Sequence, residues 1–344
     1  MREHTLQVNH LQIAFRTGGG LVRAVRDISF CLERGRTLAI VGESGSGKSV
    51  TSRAVMGLLA PNAVVERGEI LYKGKNLLQM SEKELCKLRG DKIAMIFQDP
   101  LSALDPIMPI GKQIAETMVI NGKMSKADAK NRAIQLMEEV GIRDAKNRFS
   151  RYPFEFSGGM RQRIVIAVAL AADPEILICD EPTTALDVTI QAQILELINK
   201  LKAERHLSVV FITHDLGVVA NVADDIAVMY AGKIVERGTA EDIFYDPRHP
   251  YTWALLTAMP DLETVGQLEA IPGVPPNMLN PPIGDAFAPR NPYAMEIDFE
   301  QQPPMFEISP THAAATWLLH PNAPKVPLPK ALAARIERMG QNGG

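Results

Sequence analysis

Residues 42–49 read Gly42-Glu43-Ser44-Gly45-Ser46-Gly47-Lys48-Ser49, and this stretch decides the fold. It fits G-x-x-x-x-G-K-[ST], with Gly42 and Gly47 at the two fixed glycine positions. The run Leu38-Ala39-Ile40-Val41 before it predicts a short buried strand, and Lys48 to Leu59 after it carries apolar residues at helical spacing. Strand, glycine loop and helix start therefore follow in the order needed to surround a phosphate chain. Glycines let the backbone turn back with no side chain in the way. Successive N–H groups and the positive end of a helix then face the anion. On this reading the loop from Gly42 to Val50 binds a nucleoside triphosphate, Lys48 reaches its β- and γ-phosphates, and the Ser49 hydroxyl binds Mg²⁺. A merely flexible Gly/Ser loop does not account for the length of the pattern or for its strand–helix context.

The rest of the composition bounds what such a loop serves. A chain of 344 residues holds one large domain with an appendage, or two domains. Net charge is −3 with the two signs interleaved, so no basic face suggests nucleic acid and no polybasic tail suggests lipid. The three cysteines, Cys31, Cys86 and Cys179, are far apart and form no C-x-x-C, which suits a reducing compartment. Arg2, Glu3 and His4 precede any apolar run, so no secretory signal is expected. The longest purely apolar stretch, Ile164 to Ala172, is less than half of the ~20 residues a membrane-spanning helix needs. Membrane association is therefore expected only through a partner.

Along the chain, residues 5–41 show apolar segments broken by Thr17-Gly18-Gly19-Gly20, a hairpin signal. Phe15, just before that turn, is either a core phenylalanine or a ring that stacks on a purine. Strand and turn signals recur from Gly68 to Leu78. The apolar run Lys92 to Phe97 ends at Gln98, where α/β sheets bind ligands, so Gln98 either reaches Mg²⁺ and the attacking water or is a surface glutamine. Residues 101–156 look mostly helical, with Lys126 to Val140 clearest, Ser125 as N-cap and Gly141 as C-cap. Ser157-Gly158-Gly159 then opens a helix over Met160 to Ala171. That is a second candidate anion site: either a plain N-cap, or a contact to the γ-phosphate of a nucleotide held by another copy.

The strand Ile176 to Cys179 ends in Asp180-Glu181, placing Asp180 on Mg²⁺ and Glu181 on the attacking water. Ala185-Leu186-Asp187 follows, then a helix from Thr189 to Lys202. The last core strand, Ser208 to Thr213, ends at His214, expected to point to the γ-phosphate. A hairpin over 226–236 closes the domain.

Together these pieces resemble the nucleotide-binding subunit of an ATP-binding-cassette (ABC) transporter over residues 5 to about 245. The most specific elements are Gly42–Ser49, Gln98, Ser157–Gln162, Asp180-Glu181, Asp187 and His214 in that order. Gln98-Asp99-Pro100-Leu101-Ser102-Ala103-Leu104-Asp105-Pro106, Ser157-Gly158-Gly159-Met160-Arg161-Gln162-Arg163 and Arg248-His249-Pro250-Tyr251 further resemble the oligopeptide/dipeptide permease ATPases. The implied fold is α/β: a P-loop ABC cassette with a mixed-sheet core, an antiparallel β subdomain, a helical subdomain at about 101–160, and a Pro-rich C-terminal extension. The implied division is a cassette at 1–245 and the extension at 246–344. More than half of the prolines fall between 250 and 329, which suits an irregular extended segment.

The resemblance also implies function. Two cassettes pair head to tail with ATP between them, the Ser157–Gln162 signature and Asp187 closing over the partner's nucleotide. Lys48, Gln98, Glu181 and His214 carry the chemistry. The implied partners are a second, OppF-type cassette, two transmembrane permease subunits and an external peptide-binding protein, with this chain peripheral on the cytoplasmic side of the cell membrane. Nickel or other small solutes, or a non-transport ABC ATPase, are the alternative readings. Many such proteins carry four tail cysteines that look like iron–sulfur ligands. Here Asp285, Asn291, Asp298 and Thr316 stand in their places, so no cluster is expected. His312 and His320 are expected to be ordinary surface residues.

Overall fold

The computed structural model describes residues 4–120, 122, 124–184, 186–259 and 271–342. The chain opens with a long hairpin, β1 (His4–Thr17) and β2 (Gly20–Glu33), turning where Thr17 to Gly20 predicts it. β3 (Thr37–Val41) leads into the glycine loop and helix α1 (Lys48–Val55). Helical spacing predicts that α1 runs to Leu59. It stops earlier because Gly57 takes a left-handed φ of +63° and its N–H bonds back to Ala54. β4 (Ala63–Tyr72) and β5 (Lys75–Asn76) then join β1 and β2 in an antiparallel sheet of order β2-β1-β4-β5. Lys73 and Gly74 between them both have positive φ, the pair of conformations a two-residue hairpin needs.

Helix α2 (Glu82–Leu88) and β6 (Ile93–Ile96) follow, and then the helical insert: α3 (Pro100–Ala103), α4 (Ile110–Ile120), α5 (Lys126–Glu139), α6 (Ala145–Arg148) and α7 (Gly158–Leu170). Ser125 caps α5 as expected, accepting from the Asp128 N–H, and Gly141 follows the helix at φ +83°. Strands and helices then alternate: β7 (Ile176–Asp180), α8 (Val188–Arg205), β8 (Ser208–Thr213), α9 (Leu216–Val219), β9 (Asp225–Tyr230), β10 (Lys233–Thr239) and α10 (Ala240–Tyr245). Ala185, part of the segment ahead of α8, lies outside the described residues.

The tail carries α11 (Pro250–Thr257), α12 (Glu296–Glu300), β11 (Phe306–Glu307), β12 (Ala313–Ala314) and α13 (Lys330–Asn342) among irregular chain. It does not stand apart. β12 pairs with β10, so the main sheet reads β11-β12-β10-β9-β3-β8-β7-β6, parallel from β9 to β6 and antiparallel beyond.

Strand alternation decides what covers each face. On β8, Val210 and Ile212 face the antiparallel sheet and pack with Leu6, Ile13, Ile28 and Ile70. Val209 and Phe211 face the other way, into the helical insert with Leu136, Ile164 and Ile194. On β3 and β9 that second face, Ala39, Val41, Ile226 and Val228, is covered by the tail through Tyr251, Phe287 and Leu332. Helical insert and tail thus divide one face of the sheet between them. All strands in the middle are buried on both sides, which explains their unbroken apolar sequences.

Candidate active site

The glycine loop leaves the C-terminal end of β3, between β8 and β9, at the centre of the sheet. Its two fixed glycines are sterically required. A Cβ on Gly42 (φ +152°) would lie 2.0 Å from the Met229 carbonyl oxygen, and one on Gly47 (φ +101°) 2.4 Å from that of Ala24. Gly47 occupies the N-cap of α1 without any side-chain cap, so the helix presents its first-turn N–H groups to the loop. Lys48 folds back into this ring, only 4% exposed. Its ammonium donates to the carbonyls of Gly42 (2.7 Å) and Glu43 (2.9 Å) and to Ser46 Oγ (3.4 Å). Burial pulls its pKa below the usual ammonium range, while Glu181, Asp180 and Glu43 pull it back.

Ser49 Oγ donates to Asp180 Oδ1 at 2.8 Å, joining the start of α1 to the end of β7. Burial raises the Asp180 carboxyl above its ordinary range, opposed chiefly by the Ser49 hydrogen bond. A hydroxyl and a carboxylate held this close, both hard oxygen donors, fit a magnesium ion.

Glu181 follows with φ +48°, a left-handed conformation that costs a non-glycine residue about 1–3 kcal/mol. The turn aims its carboxylate at three side chains. Thr184 Oγ1 donates to Glu181 Oε2 at 2.9 Å and Gln98 Nε2 at 3.3 Å, and His214 Nδ1 lies 3.3 Å from the same oxygen. Two sequence-predicted residues, Gln98 and His214 from the ends of β6 and β8, therefore converge on one oxygen of a third, Glu181 at the end of β7. Thr184 was not expected there; nothing but its three-residue separation from Glu181 could have signalled it.

Glu43, Ser44, Gly45, Gly47, Lys48, Ser49, Val50, Gln98, Glu181 and His214 line a single cavity of about 680 Å³. Gly42, Ser46 and Asp180 lie beneath it, all three buried. Ala24 and Leu255 complete the lining, and neither belongs to a recognisable motif. Phe15 is half-buried on β1, packed against the apolar cluster under the antiparallel sheet, and does not line this cavity.

The second glycine element lies elsewhere. Ser157 caps α7, accepting from the Met160 N–H at 3.4 Å, and Ser157 and Gly158 are exposed. Ser157 and Gly159 border a different cavity, beside Arg143, Arg148 and Arg163, that shares no lining residue with the first. Asp187 caps α8 by accepting from the Ile190 N–H at 3.0 Å. Gln162 is 1% exposed and turns into the protein, away from either cavity.

In the tail, the four positions in place of cysteines are buried, and each side-chain oxygen accepts a nearby backbone N–H: Asp285 from Phe287, Asn291 from Tyr293, Asp298 from Met295 and Thr316 from Leu318. This oxygen donor set does not fit an iron–sulfur cluster, which thiolates hold. His320 is exposed as expected, but His312 is not. It is 1% exposed, with Nε2 2.8 Å from Glu236 Oε1, because β12 carries it against β10.

A glycine phosphate loop opening a helix, at the end of a central parallel strand and facing two acidic residues on the next strand but one, defines a P-loop nucleoside triphosphatase. Comparison with known proteins places it further. The family profile described as "ABC transporter" matches residues 25–184, and "Oligopeptide/dipeptide transporter, C-terminal region" matches 235–297. The chain is 60% identical to the oligopeptide transport ATP-binding protein OppD of Bacillus subtilis over 97% of its own length and 94% of the relative's. It is 60% identical to the dipeptide transport ATP-binding protein DppD of Lactococcus lactis, covering 98% and 97%. Among solved structures, the dimeric post-hydrolysis state of the ATP-binding cassette MJ0796 bound to ADP and Pi matches with TM-score 0.61 and 26% identity, covering 68% of this chain and 98% of that one. The chain belongs to the ATP-binding subunits of ABC transporters, in the oligopeptide/dipeptide branch. It binds ATP and is an ATPase.

Proposed function

We propose that this chain hydrolyses ATP to drive peptide import, working with a second, OppF-type cassette, two membrane-embedded permease subunits and an external peptide-binding protein. It would sit at the cytoplasmic face of the cell membrane, held there by the permeases. Among the described residues no helix is long and apolar enough to cross a membrane. The observation that carries the proposal is a mismatch within one chain: a complete phosphate cradle has no signature over it, and an exposed signature has no cradle beneath it. A second cassette, turned head to tail, supplies what each lacks. The dimeric, ADP- and Pi-bound state of the MJ0796 cassette supports pairing of two cassettes.

In that arrangement the Gly42–Val50 loop holds the phosphates through its N–H groups and Lys48. Phe15 stacks on the purine, outside the phosphate cavity. Ser49, Asp180 and the carbonyl oxygen of Gln98 hold Mg²⁺, which neutralises phosphate charge when bound. Glu181 orients the attacking water and takes its proton, with Gln98, Thr184 and His214 fixing the carboxylate. Ser157–Gly159, with Gln162 positioning the helix from inside and Asp187 at the joint, closes over the nucleotide of the partner.

Peptide is the favoured cargo because the relatives that match end to end are named for oligopeptide and dipeptide transport. The test is uptake by the full complex in liposomes loaded with ATP. Short peptides should accumulate with the wild-type chain and not with Glu181→Gln, whereas accumulation of nickel or another small solute in their place would overturn the cargo assignment.

A further inference from the structure

The phosphate loop is gripped from outside by the C-terminal tail, and the grip falls on one residue, Glu43. The Glu43 backbone N–H donates to the hydroxyl of Tyr251, a side chain on α11 with no exposed surface, at 2.8 Å. The Glu43 carboxylate receives a two-pronged ion pair from Arg290, Nη1 to Oε2 at 2.6 Å and Nη2 to Oε1 at 3.0 Å. Arg290 is itself held by the Pro272 carbonyl on Nε (2.7 Å), the Ile271 carbonyl on Nη2 (3.3 Å) and the Tyr230 hydroxyl on Nη1 (3.2 Å). The guanidinium therefore cannot swing away from Glu43 without breaking bonds to three other groups. Pro275, Pro276 and Met278 line a small cavity together with Glu43, Ser44 and Gly45.

Two physical consequences follow. Gly42, Gly45 and Gly47 give this loop more backbone freedom than any other residue type would, so a conformation fixed at Glu43 removes freedom that nucleotide binding would otherwise have to remove. Glu43 also places a negative charge in a loop that must receive a triphosphate, and Arg290 compensates it from a buried position, in a partly buried pair that solvent screens less than a surface one.

We infer that Arg290 is a positioning residue for nucleotide, acting through Glu43, and that tail docking and nucleotide affinity are linked in both directions. This rests on the reading of Gly42–Ser49 as the ATP phosphate loop. Arg290 does not line the cavity that holds Lys48 and Glu181, so its effect falls on affinity and not on the chemical step, which Glu181 governs.

The experiment is ATP titration of the full chain, paired with turnover in the assembled complex. Arg290→Met should weaken ATP binding by at least about fivefold and raise KM with kcat little changed. Glu43→Gln in the Arg290→Met background should restore part of the affinity, because it removes the uncompensated charge. Arg290→Lys, which keeps charge and loses the fork, should weaken binding by more than about twofold but less than Arg290→Met does, and serves if the methionine variant does not fold. ATP affinity within twofold of wild type in Arg290→Met or Arg290→Lys would overturn the inference, as would a double variant no better than the single one. Lys48→Ala separates the two readings. If it binds ATP as wild type does, the loop assignment fails; if it loses binding while the Arg290 variants keep theirs, only the link to the tail fails.

Discussion

Two glutamates in this protein each meet a histidine, and their settings differ in a way that sorts function from scaffolding. Glu181 is surrounded by side chains, Gln98, Thr184 and His214, all from exposed positions, and its own backbone is left-handed. Glu236 has no exposed surface; its Oε1 lies 2.8 Å from His312 Nε2, and its carboxylate accepts from the backbone N–H groups of Arg248 (2.6 Å) and His249 (3.0 Å). The first carboxylate is held by groups that can be exchanged for a ligand at little cost. The second is satisfied by main chain that cannot leave without unfolding the joint between sheet and tail. Strain and exposure mark the proposed reacting site, and burial with fixed amide donors marks the hinge pin.

The joint is itself the seat of the Arg248-His249-Pro250-Tyr251 motif. His249 is buried, its pKa pulled down to about 3, so the neutral ring accepts the Tyr251 N–H on Nδ1 and caps α11. Pro250 follows at the first helical position, where its missing N–H costs nothing. Tyr251 then reaches Glu43 in the phosphate loop. The motif thus links Glu236 on β10 to Glu43 in the glycine loop within four residues.

The contrast breaks most sharply at Glu181. Glu181→Gln keeps the size and hydrogen-bonding reach of the side chain but not its basicity, so turnover in the assembled complex should fall by about 10²–10⁴-fold while ATP binding and thermal stability stay near wild type. Equal hydrolysis by the variant would remove Glu181 from the chemical step. The reverse pattern is expected at Glu236. Glu236→Ala strands a buried histidine and two backbone N–H groups, costing about 3–5 kcal/mol of stability. A urea titration should show the loss, and ATP turnover per folded molecule should change far less than for Glu181→Gln. A stable Glu236→Ala protein with impaired chemistry would erase the distinction.

How much of this was legible beforehand follows from the kind of signal each feature leaves. The phosphate loop, Gln98, Asp180, Glu181 and His214 all sit at glycine turns or at the polar ends of apolar strands, and those transitions are local in sequence. Buried central strands announce themselves as unbroken apolar runs, so β3, β7 and β8 were placed nearly to the residue. The tail was not legible in the same way. Its strands β11 and β12 are two residues each, too short for any alternation, and what makes them strands is the edge of β10. His312 looked like a surface histidine because nothing near it in sequence reports Glu236. Arg290 and Tyr251 gave no sign of their reach to Glu43, since a contact between distant segments leaves no periodicity. The same limit hid Leu255 in the lining of the cavity beside the glycine loop.

The smallest expected effect tests the tail alone. Asp285 is buried near Asp298, with Lys233 and Arg26 facing it, and burial pushes its carboxyl up to about 6 from an ordinary 3.8. A carboxyl whose folded-state pKa is raised binds its proton more tightly when folded, so its stabilising contribution is complete below about pH 4 and is lost as pH rises through about 6. Asp285→Asn removes that titration but keeps an Oδ1 that can accept the Phe287 N–H, now 3.1 Å from Asp285. The variant should match wild type near pH 4 and be the more stable protein at pH 7 to 8, by up to about 3 kcal/mol. Melting temperature against pH for the two proteins is the measurement, and parallel curves would show that Asp285 is ionised in the fold at no cost. If the curves instead diverge, and ATP affinity moves with them, the tail's own stability feeds through Arg290 into the phosphate loop. Tail stability and nucleotide affinity would then be coupled, while the chemical step at Glu181 would stay independent of both.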